Sequence, residues 1–142
     1  MSEERQESII FDTGVLIEIV RGSEAALTLK TRLENGTLNP HTTELNLFEL
    51  NYLTCRKEGW TKAKGVTDSI RESGYFKIHE VQEFLETAAG IKCGRAISIV
   101  DCITIAAGET LSIPVLFAKR EKELDEELEK RAFRTELRFL AD

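Results

Sequence analysis

The feature that most limits the fold of this sequence is a short apolar run, Ile9-Ile10-Phe11, that ends on the carboxylate of Asp12. β-Branched and aromatic residues in so short a run predict a buried strand, and Thr13-Gly14 can cap a helix that begins near Val15. In an open α/β sheet, ligands bind in the crevice beyond the carboxyl ends of the strands. Asp12 is therefore expected either to cap the following helix or to belong to a site at that edge of the sheet.

The remaining chain alternates short apolar segments with helical patterns, and its length suits one domain over residues 1–142. Further strands are predicted at 37–40, closed by Pro40, at 75–79, at 114–117 and, as a short edge strand, at 137–140. Strands that alternate with helices predict a mostly parallel central sheet with helices on both faces. The expected fold class is therefore α/β, as a three-layer α/β/α sandwich.

Composition excludes several classes of protein. No apolar run approaches the ~20 residues that cross a bilayer, and the N-terminus lacks the charge pattern of an export signal, so we expect a cytoplasmic protein without membrane contact. The net charge of -6 argues against a general nucleic-acid coat protein but allows a metal-bound acidic site. Cys55, Cys93 and Cys102 form no C-x-x-C pair and are expected to be reduced and packed. His41 and His79 occur in separate contexts and are too few for an all-imidazole zinc site.

Two further acids interrupt apolar patterns. Glu49 lies in a predicted helix, 44–58, whose inward side is expected to carry Leu45, Phe48, Tyr52 and Leu53. A free carboxylate in the middle of that stripe is costly, although a Glu can also reach the edge of the core or pair with an Arg. Asp101 lies in the first turn of a buried apolar helix, three residues after Ser98, in a pattern that resembles a capping box. Capping and metal binding are compatible there.

A fourth acid, Glu121 or Glu123, begins the last helix directly after the predicted strand 114–117. Carboxylates that converge raise each other's pKa, so they are seldom gathered without a cation. Oxygen ligands without His or Cys favour hard ions such as Mg²⁺ or Mn²⁺. These ions support in-line displacement at phosphorus, and hydrolysis of a phosphodiester is the chemistry that such a site suits best.

Four segments, in order, resemble the PIN domain family and, within it, the small prokaryotic VapC-type toxin ribonucleases. The segments are I-I-F-D-T-G-V-L, N-L-F-E-L-N-Y-L, S-I-V-D-C-I-T-I-A-A and P-V-L-F-A-K-R-E-K-E-L. The resemblance implies a flavodoxin-like sandwich with acids at one end of a parallel sheet. It also implies metal-dependent endoribonuclease activity on RNA, a homodimer, and often inhibition by a small antitoxin protein.

Carried over residue by residue, Asp12, Glu49 and Asp101 match the first three acids of the family. The usual fourth motif is a Leu-Thr-x-Asp-x-x-Phe-like run; here Glu121 takes the place of its Asp and Lys119 the place of its Thr. These two departures leave open whether one metal ion or two bind.

The resemblance also implies supporting roles around the acids. Thr13 and Ser98 match positions that orient the site from the second shell. Lys119 or Arg120 is expected to neutralise the scissile phosphate of the substrate.

Other functions remain open at this stage. The same fold with a degraded site would be a noncatalytic RNA- or protein-binding module, which the departures at Lys119 and Glu121 favour. A haloacid-dehalogenase-like phosphatase requires a second Asp two residues after the first, where this chain has Gly14. No P-loop or dinucleotide-binding glycine motif occurs. Trp60 and the basic residues after it suit either contact with single-stranded RNA or packing against a partner or the core.

Overall fold

In a computed structural model that describes residues 6–141, five strands form one parallel sheet in the order β3-β2-β1-β4-β5. The strands are β1 (Glu7–Phe11), β2 (Leu38–Thr43), β3 (Lys77–His79), β4 (Val115–Lys119) and β5 (Leu137–Ala141). The helices are α1 (Thr13–Arg21), α2 (Leu27–Glu34), α3 (Glu44–Glu58), α4 (Trp60–Glu72), α5 (Leu85–Gly94), α6 (Ile99–Leu111) and α7 (Lys122–Lys130). The predicted three-layer α/β/α sandwich is confirmed, and the predicted edge strand pairs in parallel with β4.

Successive side chains of β1 point to opposite faces of the sheet, and each face has its own core. Phe11 packs with residues of α1 to α4, such as Leu16, Leu50 and Ile70. Ile10 packs on the other face with residues of α5 to α7. Because β1 lies at the centre of the sheet, its carboxyl end opens between the two helical layers. No helix in the described part of the chain is long and apolar enough to cross a membrane.

The structure corrects the predicted end of the second strand. Pro40 does not close β2, which continues to Thr43. β3 begins opposite His41, so no strand lies against Pro40 on that side, and its missing N–H costs no ladder hydrogen bond. The longer strand carries Thr43 to the carboxyl edge of the sheet, where its hydroxyl accepts a hydrogen bond from the Asn46 N–H and caps α3.

The predicted inward face of α3 is also wrong. Phe48 is 63% exposed, whereas Asn46, Leu47 and Leu50 are buried. The buried face is thus rotated by roughly one residue, and Glu49 lies at its flank with intermediate exposure rather than at its centre.

Two expectations about reactive side chains fail as well. His41 and His79 are in contact, with 2.8 Å between His41 Nδ1 and His79 Nε2. Of the three free cysteines, Cys102 is buried but Cys93 is exposed.

Candidate metal and nuclease site

Asp12 lies where β1 ends and α1 begins. Its backbone is extended, and its carboxylate Oδ2 accepts a hydrogen bond from the Gly14 N–H at 3.3 Å. Asp12 therefore caps α1, which is one of the two roles expected from the sequence. The other oxygen, Oδ1, is buried without a hydrogen-bond partner. Capping therefore explains the position of only one of the two carboxylate oxygens. The other needs a different explanation, because a buried oxygen is rarely left without a hydrogen-bond partner.

Asp101 lies in the first turn of α6, with Ser98 as the N-cap residue. The Ser98 hydroxyl accepts a hydrogen bond from the Asp101 N–H at 3.1 Å. Ser98 therefore caps α6, which is one half of the predicted capping box, and this cap fixes the backbone of Asp101 in the first turn.

The acids influence one another strongly. Burial raises the pKa of Asp12 to about 7, and the charges of Asp101 and Glu49 add to this rise. Burial raises the pKa of Asp101 to about 6, helped first by Glu49 and then by Glu121 and Glu123. Within residues 6–141, no lysine or arginine forms an ion pair with Asp12 or Asp101. In the described part of the chain, Asp12 and Asp101 thus lie at one edge of the sheet without an ion-paired cation for either.

A cavity of about 340 Å³ opens at this edge. Asp12, Asp101, Lys119 and Glu121 line it, together with Gly14 of the first turn of α1. A side chain at position 14 would place its Cβ 3.1 Å from the Cβ of Ala118, so the glycine lets α1 approach β4 closely. Glu49 does not line the cavity, and the hydroxyl of Tyr52 donates a hydrogen bond to its Oε2 at 3.4 Å.

The donor set fits a hydrated hard cation better than a dehydrated one. Among the described residues, no three acidic, histidine or cysteine side chains are close enough to form a complete ligand set as they stand. Mg²⁺ usually keeps several waters and needs only one or two carboxylates. The unpartnered Oδ1 of Asp12 and the nearby carboxylate of Asp101 meet that requirement.

A buried hydrogen-bond network, not predicted from the sequence, lies beneath the acids. The Asn46 amide donates to Thr13 Oγ1 at 3.1 Å and to Thr104 Oγ1 at 3.0 Å, and its oxygen accepts from Thr43 Oγ1 at 2.7 Å. Thr13 follows Asp12 directly, so the predicted supporting role of Thr13 gains a physical partner. The available signal was spacing: Asn46 precedes Glu49 by three residues, and Thr104 follows Asp101 by three.

The fourth motif, which runs from Lys119 to Glu123, faces the other acids with only some of its side chains. Lys119 is exposed, and its Nζ lies 3.8 Å from the Glu121 carboxylate. The Arg120 guanidinium lies over the ring of Phe139 at 4.4 Å and 3.4 Å from Asp125, and it does not line the cavity. Glu121 lines the cavity, whereas Glu123 affects it only through its charge on Asp101.

Comparison with known proteins finds solved structures of the same fold. Solved structures with the same fold include VapC20 of Mycobacterium tuberculosis, described as a sarcin-ricin loop cleaving toxin, at 19% identity and TM-score 0.64 over 84% of this chain and 94% of that chain. DNA-bound VapBC of Salmonella typhimurium matches at 10% identity and TM-score 0.68 over 95% and 99%. FitAcB of Neisseria gonorrhoeae matches at 18% identity and TM-score 0.65 over 92% and 96%.

These identities are low and show the shared fold alone, and a search of curated proteins finds no match. The evidence for the family comes from the sequence itself. A protein-family model described as PIN domain matches residues 9–136, which include all the acids at the cavity edge. The chain therefore belongs to the PIN domain family.

Proposed function

We propose that this protein is a divalent-metal-dependent endoribonuclease that hydrolyses RNA phosphodiester bonds, as the toxin of a type II toxin–antitoxin pair. The observation that carries the proposal is the pair of half-buried carboxyls, Asp12 and Asp101, which line one cavity without a basic ion-pair partner in the described chain and whose pKa values are raised to about 7 and about 6. Perturbed carboxyls in a cleft are typical of functional sites. Membership of the PIN family and the fold shared with VapC toxins support the same chemistry.

Each acid has a distinct role in this proposal. Asp12 and Asp101 would hold Mg²⁺ or Mn²⁺, with Glu49 as a direct or water-mediated ligand, and Glu49 would orient the attacking water. When bound, such an ion lowers the pKa of a water and neutralises charge at phosphorus. Glu121 completes the anionic edge, and Lys119 contacts the scissile phosphate. Because Asp12 and Asp101 must lose their protons to bind a cation, activity should fall as the pH drops below their raised pKa values.

A noncatalytic binding module is the competing function. One observation favours it: at the fourth acidic position, Glu121 is exposed and already paired with Lys119. A module of this kind would bind RNA or protein without cleaving either, and it would have no need of the unpartnered Asp12 oxygen.

The test is cleavage of end-labelled RNA with Mg²⁺, with Mn²⁺ or with chelator. Because a protein of the same fold is described as cleaving the sarcin-ricin loop, one substrate should be a ribosomal RNA hairpin and another a single-stranded RNA. We expect cleavage by the wild type with metal, none with chelator, and a loss of at least about 100-fold in Asp12→Asn and Asp101→Asn. Equal activity in these variants or in chelator would contradict the proposal, and absent cleavage with intact RNA binding would favour the module.

The antitoxin partner is part of the same proposal. A solved structure with the same fold, from Klebsiella pneumoniae, is described as a toxin–antitoxin complex. This chain has an apolar groove of about 760 Å³ between α1, α2 and α4, lined by residues such as Val20, Leu33 and Phe76. We expect an apolar segment of the antitoxin to fill this groove. Co-purification of wild type and Val20→Glu with the product of an adjacent gene tests the contact, and equal recovery would contradict it. The expected homodimer remains a prediction for analytical ultracentrifugation.

A further inference from the structure

One flank of α3 carries an ordered row of aromatic and basic side chains. Phe48, Tyr52 and Arg56 follow one another at intervals of four residues, so they are neighbours on the helix surface. The rings of Phe48 and Tyr52 meet edge to face with centroids 5.5 Å apart, and the Arg56 guanidinium lies 5.0 Å from the Tyr52 centroid. Each member of this α3 row holds the next in place, although Phe48 is 63% exposed.

The α3 row adjoins the acids. The Tyr52 hydroxyl donates to Glu49 Oε2 at 3.4 Å. On the same helix, the Asn46 amide donates at 3.1 Å to Thr13, which directly follows Asp12. Another side of α3 is covered, because α4 packs there and Arg71 pairs with Glu44. The row is therefore an open surface that is continuous with the proposed site.

We propose that the α3 row binds the bases of single-stranded RNA by stacking and so places the adjoining phosphate at the acids; this rests on the proposed function. The chain has a net charge of -6 and its site is anionic, so attraction to the RNA backbone alone is weak. Stacking on aromatic side chains and on Arg does not depend on phosphate charge and tolerates any base. Phe48 offers an exposed ring, and Arg56 offers a cation beside the Tyr52 ring.

The test is the affinity for a short fluorescein-labelled single-stranded RNA, measured by anisotropy in chelator so that cleavage does not interfere. We expect Phe48→Ala and Tyr52→Ala each to raise Kd by about 5- to 150-fold. Phe48→Trp, which keeps an aromatic face, should bind like the wild type, whereas Phe48→Leu should bind like Phe48→Ala. Tyr75→Ala is the matched control, because Tyr75 is an aromatic residue that is 48% exposed but lies outside the row.

Several results would overturn the assignment. These are no RNA binding by the wild type, an unchanged Kd in Phe48→Ala, wild-type affinity in Phe48→Leu, or an equal loss in Tyr75→Ala. If sedimentation shows that Phe48→Ala weakens RNA binding only because a dimer dissociates, the row is a contact between copies and stacking is excluded.

The proposed function is tested separately from the row. A wild type that binds RNA through the row but never cleaves it contradicts only the nuclease. A wild type that cleaves, with full binding by Phe48→Ala, contradicts only the row.

Discussion

Replacing Asp12 by Asn should stabilise the metal-free protein, and by an amount that grows with pH. Asn keeps the shape of Asp and can still accept the hydrogen bond from the Gly14 N–H, but it carries no charge. In the wild type, burial and the charges of Asp101 and Glu49 raise the pKa of Asp12 from 3.8 to about 7. A carboxyl with a raised pKa holds its proton more tightly in the folded state than in the unfolded state. Its contribution to stability is therefore complete below the unfolded pKa and is lost as the pH rises through the folded pKa.

The size of the effect follows from that difference in pKa. At 1.36 kcal/mol per pKa unit, the wild type loses about 4 kcal/mol between the two pKa values. In chelator, Asp12→Asn should exceed the wild type in free energy of unfolding by up to about 4 kcal/mol at about pH 8, and by less than about 2 kcal/mol at about pH 5. Burial, with the charges of His79 and Lys77, lowers the pKa of His41 to about 4, so its contribution is lost as the pH falls. That opposing trend is common to both proteins and cancels in their difference.

The assay is urea unfolding in chelator at the two pH values, followed by circular dichroism. Glu129→Gln, at an exposed position of α7, is the matched control and should change the free energy by less than about 0.5 kcal/mol. Added Mn²⁺ should stabilise the wild type more than Asp12→Asn, because the cation then relieves the same repulsion. A difference between variant and wild type that is zero, or equal at both pH values, would refute the reasoning.

Four further variants test packing and the buried polar groups by the same unfolding measurement. Gly108→Ala should cost about 1–3 kcal/mol, because its Cβ would lie 2.4 Å from Val115 Cγ2, whereas Gly65→Ala, in a helix with nothing near its Cβ, should stabilise by about 0.5–1 kcal/mol. Asn46→Ala should cost about 2–4 kcal/mol, because it leaves three buried threonine hydroxyls with fewer partners. Arg95→Ala should cost about 3–5 kcal/mol, because the guanidinium donates to three backbone carbonyls at and beyond the end of α7 and pairs with a buried Glu. A change of the opposite sign in any of these variants would contradict the corresponding contact.

The order of elements and the edge that carries the acids were predictable from the sequence. A short apolar run followed by an acid and a helix start specifies a strand end, and Asp12 follows such a run. Asp101 and Glu121 each lie at the beginning of a helix. Parallel strands bring their carboxyl ends to one edge, so Asp12 and the start of the last helix were expected near each other. The predicted order of strands and helices agrees with the observed topology here, because short-range sequence signals specify where each strand ends and each helix begins.

Two predictions failed for the same physical reason: the inward face of α3 and the separation of the two histidines. Both depend on contacts between residues that are distant in sequence. Phe48 was predicted to face inward and Asn46 was not singled out, but Asn46 is buried and its partners are Thr13 and Thr104, 33 and 58 residues away. The hydrogen bond between His41 and His79 likewise joins residues 38 apart, on neighbouring strands. Helical periodicity counts hydrophobicity along one element, and it cannot detect a polar side chain whose hydrogen bonds are satisfied by other elements.

The same network explains how the fold tolerates its own electrostatic repulsion. Asp12 and Asp101 each lie at the N-terminus of a helix, where backbone N–H groups and the helix dipole favour negative charge. That support is incomplete, since both pKa values remain raised. The Asn46 network fixes the elements beneath the acids with neutral groups, so it holds their positions without neutralising them. A basic residue in the place of Asn46 would relieve the repulsion permanently and remove the free energy that a bound cation would otherwise gain. Rigidity from neutral hydrogen bonds, combined with unpaired charge, is therefore the arrangement expected of a cation site.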